Sequence, residues 1–344
     1  MNSIAVYPGT FCPPTYGHFE ILKEASDIFS EVFVVCSINN EKKENWFSPE
    51  KCKDLWLEYK LPTNVKVVTY HEFVELGLQS EKLVLIRGIR NRDDAEHEKE
   101  VMLLNNLKYH IRKYFYLFSK KEFECCSSSR VRKFAEEFDL VALSELVSPG
   151  IITELLQKVK ECRNVYLVVG PPGGGKSTFL KFLHKYNPKT IHIVTDQINH
   201  QLRDVLQEQF PGRSLEELAL TNQEELKRFI KKPWFEFLSQ AIKSAPQQSD
   251  LFIEIAYGLQ TDKNLWRYLG SKILYIGPTK DYSMLKKRVI KRGTPHLVPF
   301  IEMIPDFAET KRLCRKNRLT LEYVDTECTL EQCELLAKNL ALKL

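Results

Sequence analysis

Two segments of this chain carry residues spaced for phosphate chemistry. One, Gly170-Pro-Pro-Gly-Gly-Gly-Lys-Ser177, fits G-x-x-x-x-G-K-[S/T] and directly follows the apolar run Val165–Val169. At such a strand-to-helix turn the backbone N–H groups of Gly170, Gly173, Gly174 and Gly175 are expected to wrap the phosphates of ATP. Lys176 reaches the β- and γ-phosphates, Ser177 ligates Mg²⁺, and Thr178 completes the phosphate contacts. The other, Thr10-Phe-Cys-Pro-Pro-Thr-Tyr-Gly-His18, also follows a short apolar run. Gly17 admits a close phosphate approach at a helix start. His18 falls in the first helical turn, whose positive end disfavours imidazolium; a neutral ring still donates one N–H to an α-phosphate oxygen. Thr10 adds a hydroxyl, and Gly9 leaves room for the ligand.

Three further segments extend the second site. Asp196 ends the run Ile191–Asp196, a position that in small-molecule kinases supplies a general base or a magnesium partner, and that equally suits a helix N-cap. Glu254 ends the run Leu251–Glu254, as a Mg²⁺ carboxylate or simply a strand end. Arg288 and Arg292 belong to Lys286-Lys-Arg-Val-Ile-Lys-Arg292, which reads as a basic lid over phosphates or as a solvated helix face.

These residues need elements to position them. Strands are expected at Ile4–Tyr7, Val32–Ile38, Val65–Tyr70, Leu83–Ile86 and Tyr114–Phe118, then near 165–169, 191–194, 251–255, 272–276 and 321–324. Helices are expected near 17–29, 48–59 and 92–111, over Ser127–Phe138 and over Ile151–Cys162. This alternation predicts an α/β fold with parallel strands, helices on both faces, and ligands beyond the carboxyl ends of the strands. A length of 344 residues exceeds one ordinary core and predicts two α/β domains, 1–162 and 163–344. The first is expected to be a Rossmann-like nucleotide domain and the second a P-loop domain. Only Arg163-Asn164 joins them, so limited relative motion is expected. Pro211–Ser244 reads as a polar, helical insertion facing the substrate.

Composition narrows the partners. With 43% hydrophobic and 28% charged residues the chain reads as globular. A net charge of +5, spread along the length, suits small anionic substrates rather than nucleic acid. No apolar run approaches the roughly 20 residues of a membrane span. The first residues lack the charged and apolar segments of a secretory leader. The nine cysteines are odd in number and form no C-x-x-C pair, which argues against a disulfide framework or zinc site and for a cytoplasmic location.

The first half carries more than the Thr10–His18 turn. Lys42 follows the second strand, Arg87-Gly88-Ile89-Arg90 follows the fourth, Glu96-His97-Glu98 sits on the next helix, and Ser127-Ser128-Ser129 opens a late one. In this order and spacing, residues 1 to about 162 closely resemble phosphopantetheine adenylyltransferase. The resemblance implies that His18 binds the α-phosphate of ATP and stabilises the transition state. Thr10 and Lys42 would hold the phosphate of 4′-phosphopantetheine, Arg87 would contact that acceptor, and Val74 would line its pantetheine arm. Phe11, Gly88 and Ile89 would contact ATP, Arg90 and Ser127–Ser129 would grip its β- and γ-phosphates, and Glu98 would contact the nucleoside. Mg²⁺ is the implied cofactor, and homo-oligomers are common in that family. Cys12 stands where the family usually has Asp, His97 replaces an aromatic residue, and one residue is inserted around Asn45-Trp46.

In the second half, Asp196–Arg203 resembles the corresponding segment of dephospho-coenzyme A kinase. The Pro171-Pro-Gly-Gly-Gly loop and Lys232-Pro-Trp234 depart from that family's pattern. The reading is a fused, two-site enzyme of coenzyme A synthesis, taking ATP and 4′-phosphopantetheine to dephospho-coenzyme A and then phosphorylating it. Two alternatives stand beside it. One is a nicotinamide mononucleotide adenylyltransferase fused to a nucleoside kinase, which Arg132 would suit. The other is an adenylyltransferase joined to a P-loop domain with an unrelated substrate or a regulatory nucleotide.

Overall fold

The computed structural model describes residues 4–38, 45–90, 96, 102, 111–161, 164–195, 198, 202, 206–255, 272–317 and 319–344. Lys42, Glu98, Arg163 and Asp196 lie outside the described residues, as does most of the expected helix 92–111. The chain divides into two compact units, Met1–Phe134 with Ala142–Ile151, and Ala135–Val141 with Ile152–Leu344.

The first unit is built on five strands: β1 (Ile4–Gly9), β2 (Glu31–Cys36), β3 (Val65–Thr69), β4 (Leu83–Ile89) and β5 (Tyr114–Phe118). Their order is β3-β2-β1-β4-β5, and every pairing is parallel. Central β1 and β2 bury nearly every residue, whereas edge strands β3 and β5 are mostly half-exposed. Strands covered on both faces need continuous apolar runs, which is why the central ones were legible. Val6, Phe33, Val35, Leu83 and Leu85 form a core with Phe73 and Ile111. The chain leaves β1 toward β2 and β3, then crosses to β4 on the other side. The crevice at this reversal lies beyond the carboxyl ends of β1 and β4. One expectation changes here. Arg87, Gly88 and Ile89 are part of β4, pairing with Tyr116, Leu117 and Phe118, so only Arg90 lies beyond the strand.

The second unit repeats the principle with β6 (Val165–Val169), β7 (Thr190–Val194), β8 (Asp250–Glu254), β9 (Lys272–Gly277) and β10 (Thr320–Asp325). The order is β10-β9-β6-β8-β7, again all parallel. Tyr166, Val168, Phe252, Leu274 and Ile276 pack against Phe179, Leu180 and Leu183 of the helix Lys176–Tyr186. Tyr166 and Phe252 stack with centroids 4.9 Å apart, so the face of β6 and β8 under that helix is an aromatic layer.

The stretch Pro211–Ser244 forms two helices, Leu215–Thr221 and Gln223–Ser244, separated by Asn222. It is not a polar insertion throughout. Leu226, Ile230, Trp234, Leu238 and Ile242 recur every fourth residue and are all buried, which makes the long helix a core element with one polar face.

Candidate functional site

The first turn is a capped helix start. Thr15 is the fully buried N-cap of the helix Tyr16–Ile28, and His18 is its third residue. The His18 backbone N–H donates to Thr15 Oγ1 at 3.3 Å, and the Thr15 backbone N–H donates to His18 Nδ1 at 3.1 Å. Thr15 Oγ1 also lies 3.0 Å from Nδ1. A capping box normally closes with Glu or Gln; here an imidazole closes it. Because Nδ1 accepts a backbone N–H, the neutral ring carries its proton on Nε2. Thr15 went unassigned in the sequence; its signal was T-x-x-H read as a capping box.

The surrounding glycines do something different from what their positions in the motif suggested. A Cβ on Gly17 would lie 2.9 Å from Cys126 Cβ, so Gly17 is needed for packing against the 123–126 segment. Phe11 has φ 43° and is 3% exposed, with its ring beneath Gly9 and edge-on to Tyr7, Trp56 and His18. Its side chain is the floor of the loop, which leaves the backbone to face a ligand. Thr10 lies beyond the end of β1 and is half-exposed.

Other expected residues fall around this turn. Arg87 Nη1 donates to the Pro8 carbonyl at 3.1 Å, across the end of β1. Gly88 packs under Ile21, and Ile89 is buried. Arg90 is half-exposed just past β4. Ser127 accepts the Arg130 N–H at 3.3 Å and lies 3.2 Å from Ser129 Oγ, so it caps the helix Ser128–Glu137. Ser128 Oγ donates to the Pro13 carbonyl at 2.8 Å. Val74 is 58% exposed on the helix Tyr70–Glu75, which directly follows β3. Cys12 Sγ accepts the Phe47 N–H at 3.3 Å. Cys52 hydrogen-bonds the same sulfur; with the Phe47 bond and the charge of Arg132 it outweighs burial and pulls the Cys12 thiol below its ordinary pKa. The sulfur thus accepts a loop N–H at the position where the family usually has Asp.

The second turn is a backbone cradle. Gly170 has φ 144°, and a Cβ there would lie 2.1 Å from the Ile276 carbonyl oxygen. Gly175, with φ 91°, is the N-cap of the helix Lys176–Tyr186 and supplies no side-chain cap. The first N–H groups of that helix are therefore left for an anion. Gly173 packs against Val289 and Gly174 against the Ile276 carbonyl. Lys176 Nζ donates to the carbonyls of Gly170 and Pro171 at 2.9 and 3.2 Å. Ser177 is half-exposed and Thr178 exposed on the first turn.

Glu254 stands beside Lys176. Its Oε1 is 3.7 Å from Lys176 Nζ, and its Oε2 accepts from His192 Nε2 at 2.9 Å. Burial disfavours the Glu254 carboxylate, but the His192 hydrogen bond and the Lys176 charge outweigh it and hold the group below the usual carboxylate range. His192 was not singled out in the sequence. It pairs with Phe252 across β7 and β8, one pleat from Glu254 on the same face. Arg288 donates to Gly173 O at 3.5 Å and to Thr326 O at 3.3 Å. It is thus a strut on the loop, while Arg292 is exposed at the end of the helix Ser283–Lys291.

Comparison with known proteins separates the halves. Residues 6–134 match the family described as Cytidylyltransferase-like. A phosphopantetheine adenylyltransferase of Streptococcus pyogenes is 34% identical over 164 residues, covering 47% of this chain and 98% of that protein. Through its first half the chain belongs to the phosphopantetheine adenylyltransferase family. A second such enzyme of the same organism is 36% identical over the same length and coverage. The first half is accordingly a nucleotidyltransferase domain, and these relatives cover 47% of this chain. The crystal structure of NadR protein in complex with NR aligns over 100% of this chain and 97% of its own, at 15% identity and a TM-score of 0.36, too low to carry an argument. No helix among the described residues is long and apolar enough to cross a membrane.

Proposed function

We propose that the first half transfers the adenylyl group of ATP to 4′-phosphopantetheine and that the second half is an ATP-dependent kinase acting on the resulting dephospho-coenzyme A. The observation that supports the first step is the His18 ring held by Thr15 with its proton on Nε2. The acceptor phosphate oxygen attacks the α-phosphorus, the bond to the β-phosphate bridging oxygen breaks, and pyrophosphate leaves. The His18 Nε2–H donates to the α-phosphate as negative charge develops on it, without a covalent intermediate. Lys42, Thr10 and Arg87 would hold the acceptor. Arg90 and the Ser127–Ser129 segment would hold the leaving pyrophosphate.

For the second step, the support is the uncapped glycine turn with Lys176 inside it and a carboxylate beside it. The loop would take the triphosphate; the accepting hydroxyl oxygen would attack the γ-phosphorus, the bond to the β,γ-bridging oxygen would break, ADP would leave, and Asp196 would take the hydroxyl proton. The oxygen donors present suit Mg²⁺, with Ser177 as the holding residue and Glu254 the nearby carboxylate. Mg²⁺ when bound would neutralise charge on the phosphates. The assignment of dephospho-coenzyme A rests on the first step's product carrying a ribose with a free 3′-hydroxyl.

The test is incubation of the protein with ATP, Mg²⁺ and 4′-phosphopantetheine, with nicotinamide mononucleotide as a parallel acceptor, and mass analysis of the products. Coenzyme A as end product supports both steps and their order. Dephospho-coenzyme A alone keeps the transferase and removes the assigned kinase substrate. Turnover of nicotinamide mononucleotide alone overturns the acceptor.

A further inference from the structure

The first turn is held in place by side chains rather than by a hydrogen-bond ladder. Cys12, Pro13 and Pro14 present three successive carbonyls, and each accepts from a different side chain. Arg132 Nη1 donates to Cys12 O at 2.7 Å, Ser128 Oγ to Pro13 O at 2.8 Å and Tyr59 Oη to Pro14 O at 3.1 Å. The Phe47 N–H adds a fourth tie, to Cys12 Sγ. Two adjacent prolines offer no N–H, so this segment cannot be fixed by backbone donors of its own.

The donors come from two separate stretches of chain. Arg132 and Ser128 stand on the helix Ser128–Glu137, and Tyr59 follows the helix Pro49–Trp56. Tyr59 is buried, stacks on Phe19 and meets Tyr16 edge-on. Its hydroxyl also accepts the backbone N–H of Ser148, and burial raises its pKa well above the ordinary value, so it remains a donor. The very next residue after the clamped carbonyls is Thr15, the cap that holds His18.

We propose that Tyr59, Ser128 and Arg132 are positioning residues for adenylyl transfer, clamping the Cys12–Pro14 carbonyls so that Thr15 keeps the His18 ring in one orientation and one tautomer. The proposal rests on the reading of His18 as the donor to the α-phosphate. Arg132, which in the sequence suited the nicotinamide mononucleotide alternative, is here a donor to a loop carbonyl. A shift of about 1 Å in a group that must meet a reacting atom is enough to cost roughly a hundredfold in rate.

Tyr59→Phe keeps the ring packing and removes only the hydroxyl. Arg132→Ala removes the second tie, and Arg132→Lys retains a donor of similar reach. Ser128 is less diagnostic, because its hydroxyl also stands where triphosphate contacts are expected. The experiment measures kcat and KM for pyrophosphate release in the full-length chain, together with the ¹⁵N shifts of the His18 imidazole, assigned against His18→Gln. Tyr59→Phe and Arg132→Ala are expected to lower kcat about ten- to a hundredfold with little change in KM for ATP. Arg132→Lys should recover part of the loss. In the wild type the two ring nitrogens should show separate shifts of a single tautomer, and in the clamp variants those shifts should converge. A lowered melting temperature with unchanged kcat and unchanged nitrogen shifts overturns the proposal. If the wild type transfers adenylyl to no acceptor, the functional reading fails, and the nitrogen shifts still decide the clamp.

Discussion

The turn after β1 and the turn after β6 occupy the same place in their sheets, yet they are built by opposite means. Each leads from a central parallel strand into a helix beside the point where strand order reverses. After β1 the helix is capped by Thr15, whose hydroxyl takes the His18 backbone N–H, and the group offered to a ligand is a side chain, the His18 imidazole. After β6 the cap is glycine without a side chain, so no side-chain cap takes the first N–H groups of the helix, while the Gly174 N–H closes the loop on the Pro171 carbonyl at 3.0 Å. Prolines stiffen the first turn, and positive-φ glycines shape the second. The difference teaches that topology places a phosphate site but does not choose its chemistry. A single placed donor suits one phosphorus under attack, whereas a cradle suits a row of phosphates held still.

The strongest way to break this comparison is to remove the central group of each turn. His18→Ala should lower adenylyl transfer about a hundred- to a thousandfold and leave phosphorylation of supplied dephospho-coenzyme A intact. Lys176→Ala should do the reverse. Loss of both activities from either change, in a folded protein, would sink the two-site reading.

Next comes backbone shape. Gly170→Ala places a Cβ 2.1 Å from Ile276 O at a φ that only glycine tolerates, and should destabilise the second unit by about 3 kcal/mol. Calorimetry should show this as a lower second transition. An unshifted melt would mean that the loop relaxes freely.

Thr15→Val sharpens the comparison on the other side. It removes the cap, costing about 1 kcal/mol, and frees the His18 ring. Thr15→Ser should restore the melting temperature and the transfer rate together. Recovery of stability without recovery of rate would deny Thr15 its hold on His18.

The acid limb of stability tests the second cradle's carboxylate. The folded pKa of Glu254 lies below its ordinary value of 4.5. Its stabilisation is therefore complete above that value and is lost as pH falls through the folded pKa. Glu254→Gln should flatten the fall in melting temperature below pH 4.5, relative to wild type. Parallel acid limbs in the two proteins would remove the His192–Glu254–Lys176 account.

The smallest effect is expected at Cys12. Cys12→Asp keeps an acceptor for the Phe47 N–H and should change transfer less than Cys12→Ala, which leaves that donor unpaired at a cost of about 1 kcal/mol. Equal rates in the two variants would show that an acceptor for the Phe47 N–H is immaterial to transfer.

Much of the scaffold was legible because buried parallel strands must be apolar throughout. All ten strands fall where the apolar runs predicted them, although β4 runs three residues further, through Ile89. Its end was missed because an arginine and a glycine interrupt the apolar pattern, and only pairing with β5 shows them to be strand. The helix Gln223–Ser244 was read as polar because its charged residues outnumber the stripe from Leu226 to Ile242. One apolar face, here including Phe235 beside Trp234, is sufficient to bury a helix, and a majority count conceals it.

The sequence by itself determined two α/β sheets, two strand-to-helix turns and the residue types at the head of each, since spacing along one strand–turn–helix unit is a local property. The tertiary structure decided what those residues do. It put the Phe11 ring under the loop, spent Gly17 on packing against Cys126, turned Arg288 into a strut, paired His192 with Glu254, and gathered Tyr59, Ser128 and Arg132 onto three consecutive carbonyls. The physical reason is distance along the chain. Arg132 and Cys12 are 120 residues apart, and no local pattern specifies a hydrogen bond that exists only after two elements have packed.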